Sequence, residues 1–283
     1  MTPFRTPPRL SLSLLVLVAG FAPACAALAG EPTTASPWSP GVNSQARLLA
    51  AGGPEPGTAV IYRAGIEIEL KRGAHTYWRQ PGDAGVPPQV SFEGSQNLKS
   101  AELRYPAPAR IDESGLQVFG YRQSVILPID VRPQNPAAPV HLAVKFDYAA
   151  CERVCVPAEA NATLDLAPRD ARGPDAGRLL LASVSLPERA ANGGALTVSA
   201  KPLPDQARPS WRITIDQPRG PWRDLFVEPP QGWYMETKRV GDAFELVAVE
   251  APKGASAPAD VTLTLTGPRD YEVKVNLPAP PKP

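Results

Sequence analysis

Cys151 and Cys155 stand in the run Tyr148-Ala-Ala-Cys-Glu-Arg-Val-Cys-Val-Pro157. Two thiols four positions apart, with a proline two residues after the second, suggest a local redox pair. In an extended strand their Cα atoms would lie roughly 13 Å apart, at about 3.3 Å per residue. A disulfide takes Cα atoms about 4.4–6.8 Å apart. If the two pair, they therefore lie on a turn, a bulge or one helical turn. Such a bridge closes a very small loop, and in the loop-entropy picture it stabilises less than a long-range bridge does. Exchange chemistry starts with a thiolate attacking a disulfide sulfur, so one sulfur must be accessible and partly ionised. Arg153, between the cysteines, would favour a thiolate, and Glu152 opposes it. On spacing alone, an inert disulfide closing a turn remains the competing reading.

Other residues offer less. His75 and His141 are the two histidines, and with Cys151 and Cys155 they make a nominal four-ligand set for zinc or copper. They are far apart in sequence, and His141 falls on the outward-looking face of its run. Met235 is the one methionine beyond the initiator, which argues against a methionine-rich copper carrier. The expectation is a chain with no metal and no cofactor. Tyr77, Trp78, Pro81 and Asp83 are candidates for a flap over the cysteines or a partner-docking surface. Packing of the two aromatics at a sandwich edge, with a turn at Pro81-Gly82, explains them equally well. Tyr148 carries the same ambiguity and is close enough in sequence to Cys151 to shape its surroundings. Trp211, Trp222 and Trp233 read as packing rather than a carbohydrate platform. No Ser-His-Asp order, paired-carboxylate motif or phosphate loop stands out.

The N-terminus gives the compartment. Arg5 and Arg9 precede an apolar stretch from Leu10 to Ala19, and Ala27-Leu28-Ala29 fits a small-residue cleavage site. The stretch is too short for a membrane span of about 20 residues, so residues 1–29 read as a signal peptide of an exported, periplasmic chain. A lipid anchor on Cys25 is disfavoured by the preceding Pro23 and Ala24. Removing 1–29, which carries two arginines and no acid, leaves 254 residues and takes the formal charge from +1 to −1. A near-neutral chain lacks the electrostatic footprint for nucleic acid, and nothing in it suggests membrane insertion of the mature form. Cysteine falls from three to an even two, in a compartment where disulfides persist.

The elements that must position the cysteines read as strands. The 36 prolines interrupt almost every helical window. Alternating runs recur instead. In Thr58–Leu70, Ile66, Ile68 and Leu70 oppose Glu67 and Glu69. In Val140–Tyr148, Val140, Leu142, Val144, Phe146 and Tyr148 oppose His141, Ala143, Lys145 and Asp147. Gln89–Phe92, Ser100–Tyr105, Leu116–Pro128 and Ala162–Leu166 are further candidates. Runs at this interval indicate an antiparallel sandwich. Residues 30–44 read as a flexible lead-in and 168–190 as a connector with a short helix at Arg178–Leu186. Seven more runs follow: Ala195–Ala200, Trp211–Asp216, Leu225–Glu228, Tyr234–Arg239, Phe244–Val249, Val261–Thr266 and Tyr271–Leu277. They make a second sandwich at 190–278, with a disordered tail at 279–283.

The stretch Gly73-Ala-His-Thr-Tyr-Trp-Arg-Gln-Pro-Gly-Asp-Ala-Gly85 resembles a signature of the DsbD N-terminal-type domain. Tyr105-Pro-Ala-Pro108, Phe119-Gly-Tyr121 and the Cys151–Pro157 run follow in the family's order. The resemblance covers residues 45–167, and the three residues between the cysteines are closer to the ScsB-like branch than to DsbD itself. It implies an all-β chain of two immunoglobulin-like antiparallel β-sandwiches in tandem, the first carrying a redox-active Cys151–Cys155 disulfide. It also implies a component of a protein-disulfide reductase, taking electrons from a membrane thiol-disulfide reductase partner and passing them to periplasmic thioredoxin-fold proteins. By position in the motif, Cys155 forms the mixed disulfide and Cys151 resolves it. The chain shows no counterpart of the membrane-spanning and thioredoxin-like domains of full-length reductases, so its electrons are expected from a separate protein. A role in copper tolerance follows from the ScsB-like resemblance alone. The rival from another class is a non-redox, two-domain binding or assembly module with a structural disulfide.

Overall fold

Proline-punctuated, alternating runs build sheets and little else. The structure, a computed structural model, describes Met1 and residues 34–51, 62–166, 174–204, 206–216, 221–258 and 260–279. Apart from Met1, the expected signal peptide lies outside the described residues, as do 280–283. No helix among the described residues is long and apolar enough to cross a membrane.

The first sandwich contains β1 (Ser39–Pro40), β2 (Ser44–Ala50), β3 (Tyr62–Leu70), β4 (His75–Gly82), β5 (Gln89–Ser91) and β6 (Leu98–Leu103). It continues with β7 (Ala109–Glu113), β8 (Leu116–Arg122), β9 (Ser124–Pro133), β10 (Val140–Cys151) and β11 (Cys155–Leu166). One sheet runs β1-β2-β3-β9-β6. The other runs β11-β10-β4-β8-β7, with β5 paired to β10. Helix α1 (Pro174–Val184) follows. The second sandwich holds β12 (Glu188–Ala190), β13 (Thr197–Pro202), β14 (Ser210–Asp216), β15 (Asp224–Glu228), β16 (Tyr234–Val240), β17 (Ala243–Glu250), β18 (Asp260–Thr266) and β19 (Tyr271–Asn276). Its sheets are β12-β19-β18-β15 and β13-β14-β17-β16. The chain is all-β, two immunoglobulin-like sandwiches in tandem. The pairing of β12 with β19 is parallel, unlike the other strand ladders among the described residues.

Strand parity fills the cores. On β10 the five alternate apolar residues from Val140 to Tyr148 are buried. The opposite parity faces outward, where His141 Nδ1 meets Asp165 at 2.7 Å and Lys145 Nζ meets Glu159 at 3.1 Å across to β11. In the second sandwich, Trp211, Phe244, Leu246, Val261, Leu263 and Leu265 form the core. Trp211 Nε1 donates to Pro278 O at 2.7 Å, which holds the chain beyond β19 against that core. The seven runs expected after residue 190 each coincide with a strand.

Three expectations change. Leu116–Pro128 is two strands rather than one, because Gln123 adopts φ 68° and turns the chain from β8 in one sheet to β9 in the other. The described part of the expected lead-in, residues 34–44, is tied to the sheet. There Ala35 bridges Leu49, and Leu48 N donates to the buried Ser36 Oγ at 2.9 Å. Glu67 does not face solvent: it is wholly buried, paired with Arg47 at 2.8 Å and with Arg178 of α1. A buried carboxylate needs such partners, and α1 supplies one by lying on the outer side of β3. One face of β18 is covered as well, with Thr264 fully buried.

That covered face is the junction of the two sandwiches. Phe226, on the outer side of β15, belongs to the core of the first sandwich and meets Trp78 and Phe119 edge-on, with ring centroids 5.9 and 5.0 Å apart. Two arginines flank it. Arg79 makes a bidentate pair with Glu228, both contacts at 2.6 Å, and reaches Glu272 at 2.5 Å. Arg110 makes a second bidentate pair with Asp224 at 2.8 and 3.0 Å. Both guanidinium groups lie over aromatic rings, Arg79 over Trp78 and Arg110 over Phe119 and Phe226. Planar forks on carboxylates and rings fix orientation better than point charges do.

Candidate functional site

Strands β10 and β11 form one antiparallel hairpin in continuous register from Val140↔Leu166 to Cys151↔Cys155. The cysteines are the last facing pair, and Glu152, Arg153 and Val154 make the exposed turn between them. Facing positions on antiparallel strands bring Cα atoms close; here they are 4.0 Å apart and the sulfurs are bonded. The two sulfurs have different surroundings. Cys151 is buried in a small apolar cluster with Tyr77, Ile111, Val118 and Ala149, on the side of the sheet away from the main core. Cys155 is exposed.

Three side chains from two other strands complete the site. His75 faces Cys151 directly in the β4–β10 ladder. Tyr77, two residues on and so on the same face, places its Oη 3.1 Å from Cys151 Sγ and 3.2 Å from Cys155 Sγ. The hydroxyl donates to Glu113 Oε2 at 3.0 Å. Glu113 ends β7, where Ser114 and Gly115 both take positive φ, 57° and 90°, in a two-residue hairpin turn. That turn sets Glu113 Oε1 3.4 Å from Cys155 Sγ and Oε2 3.3 Å from His75 Nε2. The loop after β4 closes over the phenol. Gly85, at φ 104°, sits so near the Tyr77 ring that a Cβ there would come within 2.5 Å of it.

Burial first, and then the Glu113 carboxylate, push the Tyr77 hydroxyl far above its ordinary range. It therefore stays protonated, its one O–H donated to Glu113 while Oη lies against both sulfurs.

The residues singled out in the sequence separate into two groups. Cys151, Cys155 and Tyr77 come together. Trp78 lies apart from them: neighbours on a strand face opposite ways, and Trp78 is wholly buried at the junction. Asp83 accepts from Gln117 N at 2.8 Å and from the Tyr234 hydroxyl of the second sandwich, so it anchors the loop. Tyr148 stacks on Phe146 and bonds Ser44 Oγ at 2.9 Å, inside the main core. His141 lies ten residues back along β10 from Cys151, roughly 30 Å at strand rise, so the nominal four-ligand set does not assemble. His75 Nε2, a Glu113 oxygen and Cys151 Sγ do lie within 4.8 Å of one another. Glu113 was not singled out. Its only local signal is the Glu-Ser-Gly turn, which says nothing of the cysteines about 40 residues later.

Residues 58–167 match the family model described as thiol:disulfide interchange protein DsbD, N-terminal. The crystal structure of the N-terminal periplasmic domain of ScsB from Proteus mirabilis superposes with a TM-score of 0.66 at 19% identity, covering 87% of this chain and 99% of that one. No curated protein matches. The matched segment ends just past β11 and takes in the whole cysteine hairpin together with His75, Tyr77 and Glu113. Over that segment the chain is thus similar to the N-terminal domain of DsbD-type thiol-disulfide interchange proteins, and its fold is that of the ScsB domain.

Proposed function

We propose that this chain is a periplasmic thiol-disulfide exchange module. It takes reducing equivalents from a membrane reductase partner and passes them to thioredoxin-fold proteins through Cys151 and Cys155. The observation that carries the reading is the asymmetry of the bridge: one sulfur exposed on a turn, the other buried against a phenol and a carboxylate. The hairpin ladder is complete without the bridge, which closes a loop of three residues and so adds little stability.

The chemistry follows from the positions. A partner thiolate attacks Cys155 Sγ, the S–S bond breaks, and Cys151 leaves as a thiolate next to the Tyr77 hydroxyl. A second partner thiol then resolves the mixed disulfide, leaving the partner oxidised and Cys151 and Cys155 reduced by two electrons and two protons. In the forward direction Cys155 attacks a substrate disulfide, and Glu113 Oε1, 3.4 Å away, is placed to take its proton. Exposed Val154 on the turn, and a 400 Å³ groove lined by Val86, Pro87, Pro157 and Ala158, offer apolar surface to a docking partner.

Trapping tests the roles. Cys151→Ser, with Cys155 retained, is expected to accumulate a mixed disulfide with a thioredoxin-fold partner, and Cys155→Ser to accumulate none. Capture by neither variant would end the relay reading. The reduction potential is expected between about −180 and −270 mV; a value below about −300 mV would make the bridge structural and favour a binding or assembly module.

A further inference from the structure

We propose that reduction of the Cys151–Cys155 bridge converts the site into a binding site for a tetrahedral divalent cation of the zinc class, with His75, Glu113, Cys151 and Cys155 as ligands. The inference uses the same cysteines as the exchange reading but does not depend on any protein partner.

The donor set comes first. Imidazole nitrogen, carboxylate oxygen and two thiolates are the ligand types that zinc takes in four-coordinate sites. The carboxylate decides the metal class. A hard oxygen ligand fits zinc and is a poor choice for copper(I), which selects sulfur.

Geometry comes second. Ligand atoms about 2.0–2.3 Å from a tetrahedral metal are roughly 3.3–3.8 Å from one another. His75 Nε2 and Glu113 Oε2 are already 3.3 Å apart, and Glu113 Oε1 and Cys155 Sγ are 3.4 Å apart. The widest separation within His75, Glu113 and Cys151 is under 4.8 Å, so about 1 Å of movement closes the set. Breaking the S–S bond pushes the sulfurs apart in the direction that a metal requires. Cys155 has the freedom to move, since it borders a three-residue exposed turn. His75 and Glu113 do not need to move far, because the β4–β10 ladder and the β7–β8 turn hold them. Tyr77 Oη, now against both sulfurs, is left to donate to a bound thiolate or carboxylate from outside the ligand set, as outer partners of metal ligands do.

The balance is simple. A dithiol reductant gives the bridge two electrons and two protons, the S–S bond breaks, and two thiols form. The cation then displaces both thiol protons and binds two thiolates, the Glu113 carboxylate and neutral His75. A disulfide offers no thiolate, so the oxidised chain does not bind. Metal therefore holds the pair reduced: at a hundred times its Kd it favours the dithiol about 100-fold, raising the apparent potential by about 59 mV.

The test uses the full chain, reduced with a phosphine, its two thiols counted by alkylation and mass, and its fold checked by circular dichroism. Cobalt(II) is titrated in and zinc then displaces it. The expected result is one equivalent per chain, with the thiolate-to-cobalt charge-transfer band and the intense visible bands of tetrahedral cobalt, and no signal from the oxidised chain. Glu113→Gln and His75→Gln are each expected to weaken binding by at least 10-fold, the lower bound for losing even an outer partner. His141→Gln, ten residues back along β10, is expected to retain it, and Tyr77→Phe to weaken it as the loss of an outer partner does. The proposal is overturned if the folded chain with two counted thiols gives no charge-transfer band, or if Glu113→Gln and His75→Gln bind like wild type. Half an equivalent per chain, or a bridge that reduces only on unfolding, would overturn it too. A chain that fails here yet still traps a thioredoxin-fold partner through Cys155 loses the metal site and keeps the exchange reading.

Discussion

Strand β4 serves two polar clusters, and they are built on opposite principles. At its end Arg79 joins Glu228 and Glu272, while Arg110 on the nearby β7 joins Asp224. Each guanidinium is matched to a carboxylate fork and laid on an aromatic ring, and little bonding capacity is left over. At the start of β4, His75 and Tyr77 meet Glu113 and two sulfurs, with a carboxylate that faces a phenol and an imidazole instead of an arginine. Saturated pairs such as those at the junction fix geometry and contribute little net energy beyond it. A cluster whose members keep spare donors and acceptors is where bonds can be made and broken. The comparison predicts that substitutions at the junction cost stability and leave the bridge chemistry alone, and that substitutions at the cysteines do the reverse.

The largest effect is expected from Phe226→Ala. It removes a side chain shared by the first core and the junction, at about 3–5 kcal/mol in denaturant unfolding. The Cys151–Cys155 potential of the folded variant is expected to stay within experimental error. A shifted potential would mean that the two ends of β4 are coupled, and the contrast would fail. Arg79→Ala comes next, at about 2–3 kcal/mol, because it strands Glu228 and Glu272 in a partly buried setting. The same pair of measurements checks it.

Tyr77→Phe probes the other end. It deletes one hydroxyl hydrogen bond, about 1 kcal/mol of stability. Its chemical effect is larger in kind: the departing Cys151 thiolate loses the hydroxyl that can turn from Glu113 to it, so exchange with a small dithiol slows and the potential becomes more negative. Stopped-flow reduction of the bridge reads the rate directly, and an unchanged rate would make Tyr77 a packing residue like Tyr148.

Much of this frame is legible in the sequence, and the reasons are local. Alternation finds the strands of the second sandwich because Val261, Leu263 and Leu265 face one core. A four-residue separation of cysteines restricts them to a turn before any sheet is known. What stays hidden depends on contacts between distant segments. Thr264 alternates with Leu263 and Leu265 as an outward residue does, yet it shares with Phe226 the face of the sheet that meets the first sandwich. Glu67 reads as exposed until α1 covers it. Tyr77 and Trp78 look like a pair in the sequence, yet strand parity sends one to the sulfurs and the other to the junction. Glu113 joins the site through register: a hairpin turn ends β7 where β4 and β10 bring His75 and Cys151 side by side.

The smallest expected effect is in alkaline titration, and it compares the two ends within one experiment. Burial and Glu113 raise Tyr77, burial and Asp83 raise Tyr234, and burial pushes Tyr105 beside Arg79 up to about 12. All three shifts are upward from 10.0, so the sign is common. Below pH 10 the phenols are protonated in folded and unfolded chains alike, and stability is at its full value. Above it the unfolded chain loses the protons first, and stability falls as pH rises toward the folded pKa values. Half a pH unit above 10, each tyrosine accounts for less than about 1 kcal/mol. Replacing one by phenylalanine removes its share of the slope in a series of denaturant midpoints between pH 9 and 10.5. Tyr77→Phe is expected to flatten the slope as much as Tyr234→Phe does, since a carboxylate accepts from each phenol. A slope unchanged in Tyr77→Phe alone would mean that the phenol at the cysteines opens to solvent, leaving the sulfurs without the hydroxyl beside them while the junction stays closed.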